Sequence, residues 1–236
     1  MKKAYRYENV QIGNFLISFG YYLKDFNVPL IGIINLFQQT PKDYEVGDVF
    51  GGLQGRYFIL EFKNDSTQIK EENNKNQRVK LIANLMSNQT YMDISLRCHL
   101  IGYPTYDQNK ELLYNFEPYF TAFTCTKDLR FENFKSAKHF VGRLLYGDNS
   151  LGCSSDEMKA YVKLLHKCAN SSDDGAMSGV VICIDKEKGL SSNLYDDIWS
   201  LSKTMGVDDD NIPDINSKLS KDLLNKKLDK PKGMGM

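Results

Sequence analysis

Asp48, Glu61 and Lys63 combine residue types and spacing that could do chemistry. The run Tyr57-Phe58-Ile59-Leu60-Glu61-Phe62-Lys63 lacks Gly and Pro and is β-prone or apolar as far as Glu61, which predicts a largely buried strand. Successive strand side chains point to opposite faces, so Glu61 and Lys63 share one face and Phe62 takes the other. Upstream, Asp48 opens a short apolar piece, and Gly51, Gly52 and Gly55 would let the chain turn tightly. The Asp48 piece then pairs with the strand as a hairpin or comes beside it, and either arrangement brings Asp48 close to Glu61 and Lys63. Two carboxylates and an ammonium at the end of a buried strand are costly unless they bind something. Hard oxygen ligands, helped by a backbone carbonyl such as that of Phe62, suit Mg²⁺ or Mn²⁺ better than zinc. Such an ion would polarise a phosphate and acidify a bound water, while Lys63 orients that water or balances charge on the phosphorus centre. The plainer reading is an amphipathic hairpin whose Glu61 and Lys63 sit at a solvated strand end.

The surrounding elements must position these residues. Val10, Ile12, Phe15, Leu16, Phe19, Tyr22 and Leu23 recur at near-helical spacing and predict a helix over residues 10–26, ended by Asn27-Val28-Pro29. Residues 30–37 read as a strand or a short buried helix. Residues 77–86 read as a helix, with Val79, Leu81, Ile82, Leu85 and Met86 apolar. Residues 93–104 read as a strand that stops at Gly102-Tyr103-Pro104. His99 within it is expected to be a core or edge residue. The aromatic run Tyr114, Phe116, Tyr119, Phe120 and Phe123 is expected to pack in the core, base stacking being the functional alternative. A helix over residues 155–168 with Ser155 as N-cap, an internal strand over 179–185 and a helix over about 193–203 complete the folded part. From residue 205 the chain turns polar and charged, which predicts a disordered tail or a short partner-binding helix striped by Leu219, Leu223, Leu224 and Leu228.

Asp48, a gap of twelve residues, then Glu61-x-Lys63 closing an apolar strand resembles the PD-(D/E)xK nuclease superfamily. The resemblance covers residues 10–105, with Gly47 standing where the motif name has Pro. It implies an α/β fold: a restriction-endonuclease-like mixed central sheet flanked by helices, here with a C-terminal α/β extension and a flexible tail. The corresponding divisions are 1–105 for the core, 106–204 for the extension and 205–236 for the tail. It also implies a Mg²⁺- or Mn²⁺-dependent hydrolase of phosphodiester bonds, with DNA as the first expected substrate. Asp48 and Glu61 would hold the metal with the Phe62 carbonyl, and Lys63 would stand beside the attacking water. Many members add a Glu from the preceding helix; this chain offers Glu8 at that helix's edge, and the helix ligand is left unassigned. On the helix after the motif strand, Gln77, Arg78 and Lys80 are placed to touch nucleic acid, although a solvated helix face explains them equally well. The most basic part of the folded chain, residues 127–143, contributes Lys135, Lys138 and Arg143 as candidates to track a phosphate backbone, again against a solvated face.

Thirty basic and thirty acidic residues give zero net charge, unlike a free-standing nucleic-acid binder, so a partner protein that delivers substrate is expected. A bacterial anti-phage defence or restriction effector fits that description. A different class, a non-catalytic α/β scaffold subunit of a complex, keeps the fold without the chemistry. Met1-Lys2-Lys3 precedes no apolar core and no apolar run approaches the ~18 residues of a membrane span, so a cytoplasmic protein is expected. Cys98, Cys125, Cys153, Cys168 and Cys183 show no paired spacing and read as free thiols. No phosphate-binding GxxxxGK loop, no HExxH and no strand-to-helix glycine fingerprint is present. Cys-His catalysis from Cys98-His99 or His166/Cys168 is disfavoured, since neither pair would face one another in its expected element.

Overall fold

The computed structural model of the chain describes residues 8–26, 32–36, 47–53, 55–69, 75–106, 108, 112–123, 136–146, 151–169, 179–185 and 189–195. In chain order the elements are α1 (Glu8–Asp25), β1 (Gly32–Leu36), β2 (Val49–Leu53), β3 (Arg56–Phe62), α2 (Asn76–Ser87), α3 (Gln89–Cys98), β4 (His99–Tyr106), β5 (Leu112–Pro118), α4 (Tyr119–Phe123), α5 (Ala137–Tyr146), α6 (Ser155–Ala169), β6 (Gly179–Asp185) and β7 (Gly189–Tyr195). The strands form one seven-stranded mixed sheet in the order β5-β4-β3-β2-β1-β6-β7. Only β3 and β4 run parallel; every other neighbouring pair is antiparallel. Parallel neighbours need a crossover, and α2 and α3 supply it. The protein is therefore α/β, a mixed sheet flanked by helices on both faces, and β5, β6 and β7 extend the same sheet beyond residue 105.

β3 is buried on both faces because its apolar run alternates into two cores. Phe58, Leu60 and Phe62 meet Ile12, Phe15, Phe19 and Leu23 of α1 and Phe140, Val141 and Leu144 of α5. Tyr57 and Ile59 meet Leu81 and Leu85 of α2, Ile94 and Cys98 of α3, Tyr119 and Phe120 of α4, and Met158, Tyr161 and Leu165 of α6. The inward positions of α1 recur every three or four residues, so one stripe of that helix is buried, whereas α6 buries all of Met158 to Val162 and then Leu164, Leu165 and Cys168.

The expected hairpin forms, but its glycines act differently from the expectation. Of these three glycines, Gly55 is the one at the turn, with φ of 76°. Gly51 and Gly52 lie inside β2, opposite Phe58 and Tyr57. A Cβ on Gly51 would come within 2.2 Å of the Phe58 ring, and one on Gly52 within 2.6 Å of the Tyr57 ring. These glycines make room for cross-strand aromatics lying over them.

Three further expectations are corrected. Residues 93–98 are helical, not strand: Asn88 caps α3 by accepting from the Thr90 and Tyr91 amides, and Ile94, Ser95 and Cys98 turn inward at helical spacing. The strand begins only at His99 and runs through Pro104 to Tyr106. Pro104 is tolerated because the pairing with β3 ends at Gly102, so no ladder partner is missed on that side. Residues 193–195 belong to β7, which closes on β6 from Asp185↔Gly189 to Gly179↔Tyr195 and overrides the expected helix start. The cap of α6 is Ser154, not Ser155: the Ser154 hydroxyl accepts from the Glu157 amide while Glu157 accepts from the Ser154 amide, a reciprocal capping box. The strand over 179–185 is internal, between β1 and β7, and Tyr114, Phe116, Tyr119 and Phe120 are buried, both as expected. The expected helix past Tyr195 and the tail lie outside the described residues.

Candidate functional site

The register of the hairpin creates the site. The paired register ends at Val49↔Leu60, and Asp48, one residue before β2, is tied to the β3 backbone on either side of Glu61. The Asp48 amide donates to the Leu60 carbonyl at 3.0 Å, and Asp48 Oδ2 accepts from the Phe62 amide at 2.5 Å. Alternation from Tyr57 and Ile59 puts Glu61 on the α2/α3/α6 side. Asp48 and Glu61 are each 3% exposed, and Lys63 is 7% exposed.

Lys63 sits two residues beyond Glu61 on the same face, and its Nζ donates to Glu61 Oε1 at 2.8 Å. The same ammonium lies 3.5 Å from Oε1 of Glu8, the first residue of α1. An acidic residue is favoured there by the helix dipole. Arg78, on the first turn of α2 and 2% exposed, brings its terminal nitrogen to 3.6 Å from Glu61 Oε2. Burial pushes the Glu61 carboxyl up, but Lys63, then Arg78, and Lys75 from the start of α2 together hold it below the ordinary carboxylate value. Glu61 is therefore an anion although buried.

Two features mark the surroundings of that anion. Glu61 Oε2 is buried and has no hydrogen-bond partner among the described residues, only the longer ion pair to Arg78. Gly47, with φ of 144°, presents its missing side chain to the same atom: a Cβ there would stand 3.5 Å from Glu61 Oε2 and 2.9 Å from the Ile59 side chain. Glycine is thus required both by its backbone angle and by what lies beside it.

Of the positions expected from sequence, Lys63 bonds Glu61, Asp48 bonds the Phe62 amide, and Arg78 reaches Glu61 from the adjoining helix, where Gln77 is also buried. Lys80 does not join them: it is exposed, further along α2, and its charge acts on Cys168. Lys138 is exposed on α5, with its ammonium 5.9 Å from the Tyr22 ring, on the side of the sheet opposite Glu61. Arg143 lies on the same helix, and Lys135 lies outside the described residues. Sequence reasoning missed Lys75 altogether. It missed also the polar group behind Arg78: His99 Nδ1 and Ser95 Oγ each lie 2.9 Å from the Tyr161 hydroxyl, and the His99 ring stacks on Tyr119 at 4.2 Å. Tyr161 lies 62 residues from His99, and no local pattern announces that partnership.

Among the described residues no group of three or more His, Cys, Asp or Glu converges to hold a metal ion. Asp48 and Glu61 are a donor pair of the kind that takes a hard divalent cation keeping several waters. The Glu61 oxygen that accepts no hydrogen bond fits that chemistry.

The fold and site together define an α/β protein with a buried carboxylate–ammonium–guanidinium cluster where β2 and β3 meet the crossover helix. Scans against protein-family models, curated proteins and solved structures each found no match. Among the described residues no helix is long and apolar enough to cross a membrane.

Proposed function

We propose that the protein is a metal-dependent nuclease of the PD-(D/E)xK type, with a restriction-endonuclease-like core, that hydrolyses phosphodiester bonds of nucleic acid, DNA being the first substrate to test. The observation that carries this reading is that Asp48 is bonded to the β3 backbone at Leu60 and Phe62, on either side of Glu61, with Lys63 bonded to Glu61 and reaching Glu8. Asp48, Glu61 and the Phe62 carbonyl would hold Mg²⁺ or Mn²⁺, and Glu8 supplies the acidic group that the preceding helix contributes in such nucleases. A bound divalent ion supplies charge neutralisation at the phosphodiester and lowers the pKa of a coordinated water. Lys63 would hydrogen-bond the attacking water or a phosphate oxygen, and Glu61 fixes its position through the 2.8 Å bond. Arg78 would offer a guanidinium to the phosphate from the opposite side of Glu61. Zero net charge supports action within a complex whose partner delivers the substrate, as a restriction or anti-phage effector would.

One observation favours a second reading, a non-catalytic scaffold subunit: Glu61 faces Lys63 and Arg78, which balance it without any ligand. Cleavage of plasmid DNA, linear DNA and RNA with Mg²⁺, Mn²⁺ or EDTA, alongside Mn²⁺ binding measured by calorimetry, separates the two. The nuclease reading expects metal-dependent cutting that falls at least about 10²-fold in Glu61→Gln, roughly 3 kcal/mol of transition-state stabilisation. Cutting by Glu61→Gln at the wild-type rate would sink the site assignment. Neither cation binding nor cutting, with candidate partners present, would leave the scaffold reading.

A further inference from the structure

The buried polar group behind Arg78 leads directly to the site. The Arg78 guanidinium carbon lies 4.9 Å from the centre of the Tyr119 ring, within the range of a cation–π contact. On Tyr119 stacks the His99 ring, centroids 4.2 Å apart and planes 10° from parallel. His99 Nδ1 is hydrogen-bonded with the Tyr161 hydroxyl, which is bonded in turn with Ser95 Oγ, each at 2.9 Å. His99, Tyr119, Tyr161 and Ser95 are all fully buried. The column joins the first residue of β4, the first residue of α4, the middle of α6 and the last turns of α3. Its far end is therefore anchored in four elements, while its near end is a single flat ring under a guanidinium.

That placement has a physical use. The ion pair from buried Arg78 to one Glu61 oxygen is long, at 3.6 Å, and does not by itself set the plane of the guanidinium. A rigid aromatic face beneath the guanidinium fixes its plane and height, and neutral imidazole under that face adds no competing charge. Burial, and secondarily Arg78 itself, hold His99 well below its ordinary value and so keep it neutral.

We propose that Tyr119 and His99 are positioning residues of the Asp48–Glu61 site: their stacked rings form the seat that holds Arg78 against Glu61. The role in cleavage rests on the nuclease reading; the seating of Arg78 does not. Tyr119→Leu removes the π face and keeps an apolar side chain, whereas Tyr119→Phe keeps the face and removes only the hydroxyl. The Glu61 side-chain carboxyl, followed by carbon NMR titration without metal, reads whether Arg78 is still beside it. In Tyr119→Leu its midpoint should rise toward the ordinary carboxylate range, and in Tyr119→Phe it should stay with the wild type. Cleavage per folded molecule should fall roughly 10–100-fold in Tyr119→Leu and recover in Tyr119→Phe, as for residues that orient a site from behind. An unmoved midpoint in Tyr119→Leu, or a Phe variant as damaged as the Leu variant, overturns the proposal. If the wild type cuts nothing, the nuclease reading fails while the titration still decides the seat. If Tyr119→Leu does not fold, the wild-type Arg78 Hε resonance decides: ring current from Tyr119 should shift it upfield, and an unshifted signal overturns the proposal.

Discussion

The two faces of β3 make opposite use of burial. Toward α1 and α5, Phe15 packs against Phe62, Phe116 and Phe140 with ring centroids 5.5, 5.3 and 5.7 Å apart, and Phe58 meets Phe140 at 5.2 Å. Among the described residues, the buried polar contacts on this side include the Tyr114 hydroxyl donating to the Gln11 carbonyl and to Gln11 Oε1. Toward α2, α3 and α6 the same strand presents Glu61, and with it Lys63, Arg78 and His99 are taken out of water. Each fully buried Phe stabilises by about 1.5–3 kcal/mol relative to exposure. A buried ion pair is commonly no better than apolar packing of the same volume, yet breaking one costs about 3–5 kcal/mol. One face thus supplies stability, and the other keeps charges that packing alone does not call for.

The strongest way to break this contrast is to open the aromatic face. Phe15→Ala removes a ring in contact with several others and should cost about 3–5 kcal/mol, read from urea unfolding. Any cation binding that the wild type shows under the proposed function should be retained wherever the variant is folded, because Phe15 packs on the opposite face of β3 from Glu61; its loss in the folded state would erase the distinction. A smaller effect sharpens it at the hairpin. Gly51→Ala drives a methyl into the Phe58 ring and should cost about 1–3 kcal/mol by overpacking. Pairing that substitution with Phe58→Leu, which withdraws the ring, should recover part of the loss. No recovery would mean that Gly51 serves the backbone and not its cross-strand neighbour.

What could be read from the sequence was what is decided locally. Tyr57 to Phe62 announces a buried strand by composition, and Asp48, Glu61 and Lys63 announce a shared location by strand alternation. Where readings failed, a distant partner decided. In residues 93–98 the apolar residues Ile94, Leu96 and Cys98 alternate with Asp93, Ser95 and Arg97, which mimics a strand. The cap at Asn88 and burial of Ser95 against Tyr161 make the segment a helix instead. Gly51 and Gly52 read as turn glycines because the rings that demand them are five or more residues away across the ladder. Lys80 follows Arg78 by two positions, which on a helix turns it away from the site, so periodicity alone could have separated them. Nothing local could have linked His99 to Tyr119, Tyr161 and Arg78, because those contacts exist only once α2, α4 and α6 have packed on β4.

The finest test of the charged face is its response to mild acid. His99 is neutral when folded because burial, then Arg78, hold it well below its ordinary 6.5, whereas the unfolded chain protonates it near that value. Below about pH 6.5 the unfolded state therefore binds a proton that the folded state refuses, and stability must fall as pH falls. The slope is roughly 1 kcal/mol per pH unit from one such group, continuing down to the folded value. Glu61 contributes nothing in this window: its lowered carboxyl loses stability only at more acid pH, below the ordinary 4.5. Glu117 acts in the opposite sense, since burial raises its carboxyl and its proton is bound more tightly when folded. The difference between wild type and His99→Phe cancels the Glu117 contribution and leaves that of His99. The Phe variant keeps a ring under Tyr119 and leaves the Tyr161 hydroxyl bonded with Ser95, so it should fold. Urea midpoints taken between pH 7 and 5 should converge as pH falls if wild type exceeds the variant, or diverge if it does not, in either case with the wild type losing more. Equal slopes would mean that the imidazole is protonated inside the folded protein, and the charged face would then hold one more cation than its geometry describes.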